Sequence, residues 1–237
     1  MMSADNEITL DLRRTGRIGF DEAILCPGKT DEHLQIILDR AEESAVSLLL
    51  TRMTPAQLES LHESHRARID YEPVSRTAYF GQLRKLGGSA RVCVVAAGTS
   101  DAFVTREIQR TLQYYGEAVT SFVDVGLAGA WRVLERIDEI RRFPVVIIVA
   151  GMDAALPTVV AGLVGSVVVA VPTSNGYGVA AGGMSALHAV LASCSPGLTV
   201  LNIDNGYGAA CAALRVCRVI DEAARRGDGF SRGEGPT

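Results

Sequence analysis

Five apolar runs, each followed by a small-residue turn and a helix-like stretch, constrain the fold of this chain most. The runs are Arg91–Ala97, Ala118–Val123, Pro144–Ala150, Val167–Pro172 and Leu198–Ile203. They are near-continuous in Val, Ile and Ala rather than alternating, as in strands covered on both faces. The helical stretches that follow are Ala102–Tyr115, Ala130–Arg142, Ala154–Leu163, Gly183–Ser193 and Ala209–Arg225. Strict alternation of this kind requires right-handed crossovers and a parallel sheet with helices on both sides. The expected fold is α/β, a three-layer αβα sandwich with a parallel, flavodoxin-like sheet over residues 86–228.

Before residue 85 the chain is richer in polar and charged residues, and Gln82–Arg91 reads as the link. Asp31–Glu43 carries Leu34, Ile36, Ile37, Leu38 and Ala41 in a largely one-sided pattern, which predicts a helix. A short strand, Ser47–Leu50, follows, and Thr54-Pro55 then supplies an N-cap and a proline at the first helical position. Residues 1–85 are therefore expected to form a small N-terminal α/β domain. The glycine-rich end predicts a flexible tail over residues 229–237.

Several function classes are disfavoured. A net charge of -4 does not suit a nucleic-acid partner, and with aromatics at 5% no base-stacking platform is visible. The first residues, MMSADNEITLDLRRTG, contain no apolar core of a secretory signal, and the apolar runs are strand length, too short to span a bilayer. Five cysteines, an odd number with no CxxC, suit reduced thiols in a cytoplasm and give no zinc spacing. A cytoplasmic protein without membrane contact is expected.

Ligands of open parallel sheets bind beyond the carboxyl ends of the strands. The turns there are Ala97-Gly98-Thr99-Ser100-Asp101, Asp124-Val125-Gly126-Leu127-Ala128-Gly129, Ala150-Gly151-Met152-Asp153, Pro172-Thr173-Ser174-Asn175-Gly176-Tyr177-Gly178 and Asp204-Asn205-Gly206-Tyr207-Gly208. All five contain glycine and four contain an acid, a composition that brings backbone N–H groups close to an anion. Ser100-Asp101 taken alone also fits a plain helix cap. The recurrence of Asn-Gly-Tyr-Gly at 175–178 and 205–208 goes beyond turn chemistry, which accounts for Asn-Gly but not for the Tyr-Gly that follows. Together the turns point to a binding site for a small anionic molecule.

Among the thiols, Cys93 lies mid-strand, and Cys211 and Cys217 lie in small-residue or apolar helix, so these read as packing. Cys26 lies in a Pro-Gly turn that would leave it accessible. Cys194 stands in Ser193-Cys194-Ser195-Pro196-Gly197, where a helix stops. Position alone leaves its role open, because a helix carboxyl end does not activate a thiol. His188 is six residues away, which is not a shared-face spacing, and reads as solvent-facing or satisfied in the core.

These turn motifs resemble a known family. Beside the first two turns, the match runs through Val149-Ala150-Gly151-Met152, Ala155-Leu156-Pro157, Val171-Pro172-Thr173-Ser174, Gly176-Tyr177-Gly178, Ser193-Cys194 and Asn202-Ile203-Asp204-Asn205-Gly206. An amino-terminal block, Asp11, Arg17, Gly19-Phe20 and Gly28-Lys29-Thr30, also fits. The chain is similar to the carboxylase/hydrolases that make pyridinium-3,5-biscarboxylic acid mononucleotide for the nickel-pincer cofactor. Their core is in turn similar to carboxyaminoimidazole ribonucleotide mutase.

The resemblance implies nicotinic acid adenine dinucleotide and CO2 as substrates, Mg2+ bound with the substrate phosphates, and release of AMP. It makes Cys194 the nucleophile that adds to the pyridinium ring and Asp153 the proton-transfer group. It makes Gly98, Thr99, Ser100, Asp101, Asp124, Gly126, Arg132, Gly151, Ser174, Gly176, Tyr177, Gly178, Asp204, Asn205 and Gly206 the substrate-binding residues. It also implies a homo-oligomer, with an octamer as the expected size. The chain departs from the pattern at Asp153-Ala154 (usually Glu-Gly), at Trp131 beside Arg132 (usually His), and at Pro27 and Asn175. Two other readings stand beside this one: an aminoimidazole ribonucleotide carboxylase or mutase, and a non-catalytic pyridine-nucleotide-binding paralogue.

Overall fold

The computed structural model describes residues 7–230. In chain order its elements are α1 (Arg14–Ile18), β1 (Ala23–Leu25), α2 (Asp31–Glu43), β2 (Leu48–Thr51), α3 (Pro55–Ser60), α4 (Glu63–Arg66), β3 (Ile69–Glu72), β4 (Thr77–Phe80) and β5 (Val92–Ala96). Then come α5 (Ala102–Tyr114), β6 (Val119–Phe122), α6 (Trp131–Leu134), α7 (Ile137–Ile140), β7 (Val145–Ala150), α8 (Ala155–Ala161), β8 (Val167–Pro172), α9 (Met184–Leu191), β9 (Thr199–Val200) and α10 (Gly206–Phe230).

The second half is the expected α/β sandwich. Its five strands are all parallel, in the order β6-β5-β7-β8-β9. Alternate residues of each central strand feed two cores. Val92, Val94 and Ala96 pack with Val104, Ile108 and Leu112 of α5 and with Ala210 and Leu214 of α10. Cys93 and Val95 face the other way, against Val133, Ile140, Leu156, Val160, Ala186 and Val190. Each fully buried Val or Ile contributes about 1.5–3 kcal/mol of hydrophobic stabilisation, which is why central strands β5 and β7 contain no polar residue.

The small sheet has the order β1-β2-β4-β3, with β1 parallel to β2 and the other pairs antiparallel. Leu48, Leu50, Ala78 and Phe80 pack on Leu34, Ile37 and Leu38 of α2, while Leu49 and Tyr79 turn toward the α5 core. Two tyrosines fasten the sheets together: Tyr79 donates to the Arg110 carbonyl (2.6 Å) and Tyr114 to the Ser47 carbonyl (2.8 Å). Thr30 and Thr54 both cap their helices through capping boxes, and Pro55 opens α3 as its position predicts.

Several elements differ from the sequence pattern. The stretch 130–142 divides into α6 and α7, because the Arg136 N–H donates to the Val133 carbonyl in a tight turn. The last strand keeps only Thr199–Val200 in its ladder, although the Leu201 N–H still reaches the Ala170 carbonyl. The last helix begins at Gly206 and runs past Arg225 to Phe230; residues 231–237 of the expected tail lie outside the described residues. Cys26 is fully buried rather than accessible, since it continues β1 and its N–H donates to the Thr51 carbonyl. Burial pushes its thiol up to about 12. Strands β1, β3 and β4 have no counterpart in the sequence reading.

Candidate active site

The carboxyl edge of the parallel sheet brings the expected turns together, and they are tied to one another. Asp101 is buried and its carboxylate joins two turns. Oδ2 accepts from the Gly98 N–H (3.0 Å), and Oδ1 accepts from Thr173 Oγ1 (2.7 Å) and Asn175 Nδ2 (2.9 Å). Asn175 also donates to the Ser100 carbonyl (2.8 Å). Its own carbonyl accepts from the Met152 N–H (2.9 Å), and a Cβ at Gly151 would collide with that oxygen. Glycine at 151 is therefore a packing requirement. A Cβ on Gly126 would likewise stand 2.7 Å from the Ala97 carbonyl. Asp204 accepts from the Ser174 N–H (2.8 Å) while its own N–H donates to the Pro172 carbonyl.

Backbone strain gathers at the same edge. Seven non-glycine residues among those described have positive φ, and four of them, Asp124, Met152, Ala154 and Asp204, lie in these turns. Two more, Arg52 and Arg76, face the edge from the small sheet. Left-handed backbone at non-glycine residues costs of order 1–3 kcal/mol each and persists where the surroundings dictate it. At this edge the turns that join strands to helices are what dictate it.

Two clefts lie along this edge. One, of about 550 Å3, is lined by Ala97, Leu127, Ala128, Gly151, Met152, Asp153 and Leu156. Asp153 is its carboxylate, exposed on an otherwise largely apolar wall. The other, of about 830 Å3, opens between the small sheet and Ser174, Asn175 and Asp204. Asp124 is paired with Arg132 (2.8 Å), which also donates to the Asp124 carbonyl, so this acid and this base neutralise each other. Thr99, Ser100, Gly176, Tyr177 and Gly178 are exposed but line neither cleft, with Tyr177 at 78% exposure.

The two Asn-Gly-Tyr-Gly turns do different work. Asn175 reaches across to the first turn, whereas the Asn205 side chain caps its own helix by accepting from the Gly208 N–H (2.8 Å). Tyr177 is exposed, whereas Tyr207 packs against the core.

Cys194 lies elsewhere. Helix α9 carries the chain away from the carboxyl edge, and Cys194 sits in the loop that leads back into β9. Ser193 and Ser195 pin this loop to α8: Thr158 Oγ1 donates to Ser193 Oγ (2.8 Å) and Ser195 Oγ donates to the Thr158 carbonyl (2.7 Å). Between them Cys194 is exposed, the one exposed thiol among the described residues. It lines neither cleft. Within one chain Cys194 therefore does not share the cleft of Asp153. His188 is exposed on α9, and Lys29 lines neither cleft.

Thr173 of the fourth turn and two residues not singled out from the sequence, Glu107 and Arg52, support the edge. Thr173 is fully buried against Asp101. Glu107, 2% exposed on α5, accepts from the Tyr207 N–H (3.1 Å) and from the Gly206 N–H, and so caps α10 from outside. Burial raises its pKa above the usual carboxylate value, against the opposing pull of Arg52. Arg52 donates to the Asp204 carbonyl (2.7 Å). The available signal was a glutamate on the otherwise buried face Val104–Ile108–Thr111 of α5. No group of three or more His, Cys, Asp or Glu side chains arranged to hold a metal occurs among the described residues, and no described helix is long and apolar enough to cross a membrane.

Comparison with known proteins agrees with the two-part build. Residues 4–82 match the LarB/PurE-like N-terminal domain and residues 91–227 match AIR carboxylase. The chain belongs to the LarB family, with an AIR carboxylase core. An uncharacterised protein of Methanocaldococcus jannaschii is 33% identical over 230 residues, covering 91% of this chain and 86% of its own. The N5-carboxyaminoimidazole ribonucleotide mutase of the same organism is 31% identical over 138 residues, 55% of this chain and 81% of the mutase. Among solved structures, a single-site variant of Treponema denticola PurE2 covers 60% of this chain and 98% of its own, at 16% identity and a TM-score of 0.41. The LarB-type match lies on the small sheet and the AIR carboxylase match on the parallel sheet.

Proposed function

We propose that this LarB-family chain carboxylates the pyridinium ring of nicotinic acid adenine dinucleotide with CO2 and hydrolyses its phosphoanhydride, releasing AMP and pyridinium-3,5-biscarboxylic acid mononucleotide. The observation that carries the reading is the exposed Cys194, held out between two anchored serines, in a chain that matches the LarB-type amino-terminal domain. An aminoimidazole ribonucleotide has no electron-poor ring for such a thiol to attack.

The chemistry follows from the electron demand of the ring. A pyridinium is too electron-poor to attack CO2. Cys194 thiolate donates its electron pair to the ring, forming a C–S bond and a neutral dihydropyridine whose enamine carbon is nucleophilic. That carbon bonds to CO2, and the carbon–oxygen π electrons become the new carboxylate. Asp153 then takes the ring proton, the C–S bond breaks, and the sulfur leaves with its pair as aromaticity returns. In the complex the ring's positive charge itself favours the thiolate. The shorter reach of Asp153 relative to glutamate places the ring close to the 151–154 turn. In the second reaction water adds across the phosphoanhydride: one P–O bond breaks, the water oxygen bonds to phosphorus, and its protons pass to the two phosphate products.

The expected Mg2+ fits only as a shared ion. Both Asp101 oxygens accept hydrogen bonds and Asp124 is paired with Arg132, which leaves Asp204, with one oxygen on the Ser174 N–H and the other open to a ligand. One carboxylate plus substrate phosphates is an ordinary magnesium arrangement, and the ion would offset phosphate charge there.

The separation of Cys194 from Asp153 supports a homo-oligomer in which one copy's thiol completes another copy's cleft. The exposed apolar residues Val179 (95%), Leu191 (63%) and Trp131 (62%) on this side of the sheet suit burial against a second copy. An octamer is the expected size, and light scattering that found a monomer at micromolar concentration would exclude it.

The direct test is incubation with nicotinic acid adenine dinucleotide, CO2 and Mg2+, with products followed by mass spectrometry and the amidated dinucleotide run alongside. The carboxylated mononucleotide plus AMP is expected. A folded protein that yields no product from either dinucleotide, but carboxylates an aminoimidazole ribonucleotide, would move the function to the relative's substrate class.

A further inference from the structure

The proposed reaction makes no use of the groove between α1 and α10, where a cationic cluster gathers around a thiol. Cys211, Arg215 and Arg218 fall at i, i+4 and i+7 of α10 and so share one face of that helix. Arg218 turns toward α1 and donates to the carbonyls of Ile18 (3.1 Å) and Gly19. Gly19 has a φ of 78°, and a Cβ there would fall on the Arg218 guanidinium, so glycine at 19 is what lets α10 grip the end of α1. The Phe20 ring lies against both guanidiniums, 4.2 Å from Arg218 and 5.2 Å from Arg215 at its centre. Arg14 stands one turn before Ile18 on α1. None of these residues lines either cleft of the carboxyl edge.

The charges here do not balance. Although the chain has more acids than bases, Arg14, Arg215 and Arg218 pair with no carboxylate among the described residues. The acids of the neighbouring stretch are engaged: Asp11 by Arg17, Asp21 by Arg84, and Glu22 by the Asp11 N–H. Arg218 spends its donors on backbone carbonyls, and Arg215 is exposed with only the ring contact. The Nε of Arg14 is buried and has no hydrogen-bond partner. A buried donor on a charged group is costly to leave unmet, and native proteins leave one where a water or an ion completes it. Burial raises the pKa of the half-buried Cys211 thiol, while the Tyr207 hydroxyl and the charges of Arg215, Arg14 and Arg218 pull it down. All three guanidiniums thus act on one point beside Cys211.

We propose that the groove between α1 and α10 is an oxyanion site, in which Arg14 and Arg215 hold a phosphate or carboxylate group beside Cys211 while Arg218 keeps the two helices together. Guanidinium forks match groups that present two oxygens, and the sign of the field turns cations away. α1 belongs to the amino-terminal part of the chain, and α10 opens at the 204–206 turn of the carboxyl edge. An anion held by both helices would therefore tie the amino-terminal part to that edge. The site depends on neither the pyridine ring nor the dinucleotide.

The test is calorimetric titration of the full chain at low ionic strength with inorganic phosphate and, separately, with acetate, comparing wild type, Arg14→Gln, Arg215→Gln and Arg215→Lys. Arg215 is exposed and makes no hydrogen bond to a described residue, so its variants are expected to fold whatever becomes of Arg14→Gln. Each glutamine variant should weaken anion binding about tenfold, the worth of one charge-assisted contact, and Arg215→Lys should recover part of the loss. The tighter of the two anions identifies the group the site takes. A second measurement fills the site covalently: in anion-free buffer Cys211→Asp should unfold at a higher temperature than the neutral, equally sized Cys211→Asn, and phosphate should no longer stabilise it. Equal affinity in wild type and Arg215→Gln would overturn the proposal, because the anion would then be bound elsewhere. A wild type that binds neither anion at millimolar concentration would overturn it too, as would a Cys211→Asp chain no more stable than Cys211→Asn.

Discussion

At the carboxyl edge each turn is tied to another part of that edge, whereas the Cys194 loop is tied only to the helix beneath it. Asp101, Thr173 and Asn175 lace the first and fourth turns together; Met152 hangs from Asn175, and Asp204 from Pro172 and Ser174. Across the sheet, Ser193 and Ser195 fix the Cys194 loop through Thr158 alone and leave the thiol open. The difference separates two tasks. A surface that positions charge must be rigid before the ligand arrives. In the proposed reaction, a nucleophile that served another chain's cleft would have to project.

The sharpest way to break this comparison is Cys194→Ser. If the loop supplies the chemistry and the edge the binding, carboxylation should fall by about 10^3-fold or more while dinucleotide affinity stays within a few-fold of wild type. Product quantified by mass spectrometry and affinity by calorimetry separate the two. A rate loss under tenfold would remove Cys194 as the nucleophile.

Complementation asks next whether the two regions meet between chains. Cys194→Ser and Asp153→Asn should each be inactive alone. Co-assembled in equal amounts, they should regain activity in roughly a quarter of their sites, because random pairing restores one intact thiol facing one intact carboxylate. If both groups act within one chain, mixing restores nothing.

The edge was far more legible in the sequence than the small sheet that faces it. Strands such as Val145–Ala150 announce themselves because burial on both faces leaves no room for polar residues. The turns after them follow from the strand-end rule. The small sheet was hidden because Ile69–Glu72 and Thr77–Phe80 are four residues each, six of the eight polar or aromatic, and β4 takes its other register from β2, a strand distant in sequence. Arg52 and Arg76 carry no local signature at all. Their meaning arises only where the two sheets meet, which neither periodicity nor spacing encodes.

A smaller effect is expected when the lacing of the edge is loosened. In Asp101→Asn one oxygen is replaced by an NH2 group, so either the Gly98 contact or the Thr173–Asn175 pair is lost at a buried site. Losing hydrogen bonds to a buried carboxylate costs roughly 1–3 kcal/mol. The urea midpoint should fall accordingly, and turnover should fall with it because turns 98–101 and 173–175 drift apart. The same cost with unchanged turnover would show that the brace serves folding alone and that the edge need not be rigid for function.

The smallest expected effect tests whether the edge carries its own pH sensitivity. Glu107 lies beneath Gly206 and Tyr207, and burial holds its carboxyl above the ordinary value of 4.5. A carboxyl raised in the folded state binds more protons there than in the unfolded chain. Its contribution is therefore fully present below about pH 4.5 and is lost as pH rises through the folded value. Glu107→Gln cannot ionise, yet it keeps an oxygen for the backbone N–H groups of α10. The stability difference, wild type minus Glu107→Gln, should thus be most favourable to wild type in acid and decline toward neutrality. Urea unfolding of both proteins from pH 4 to 7.5 measures it, and other acids cancel in the difference because they are common to both. A difference that stays flat with pH would mean that Glu107 is not ionising under the edge, and that its two backbone contacts alone hold the Asp204–Gly206 turn.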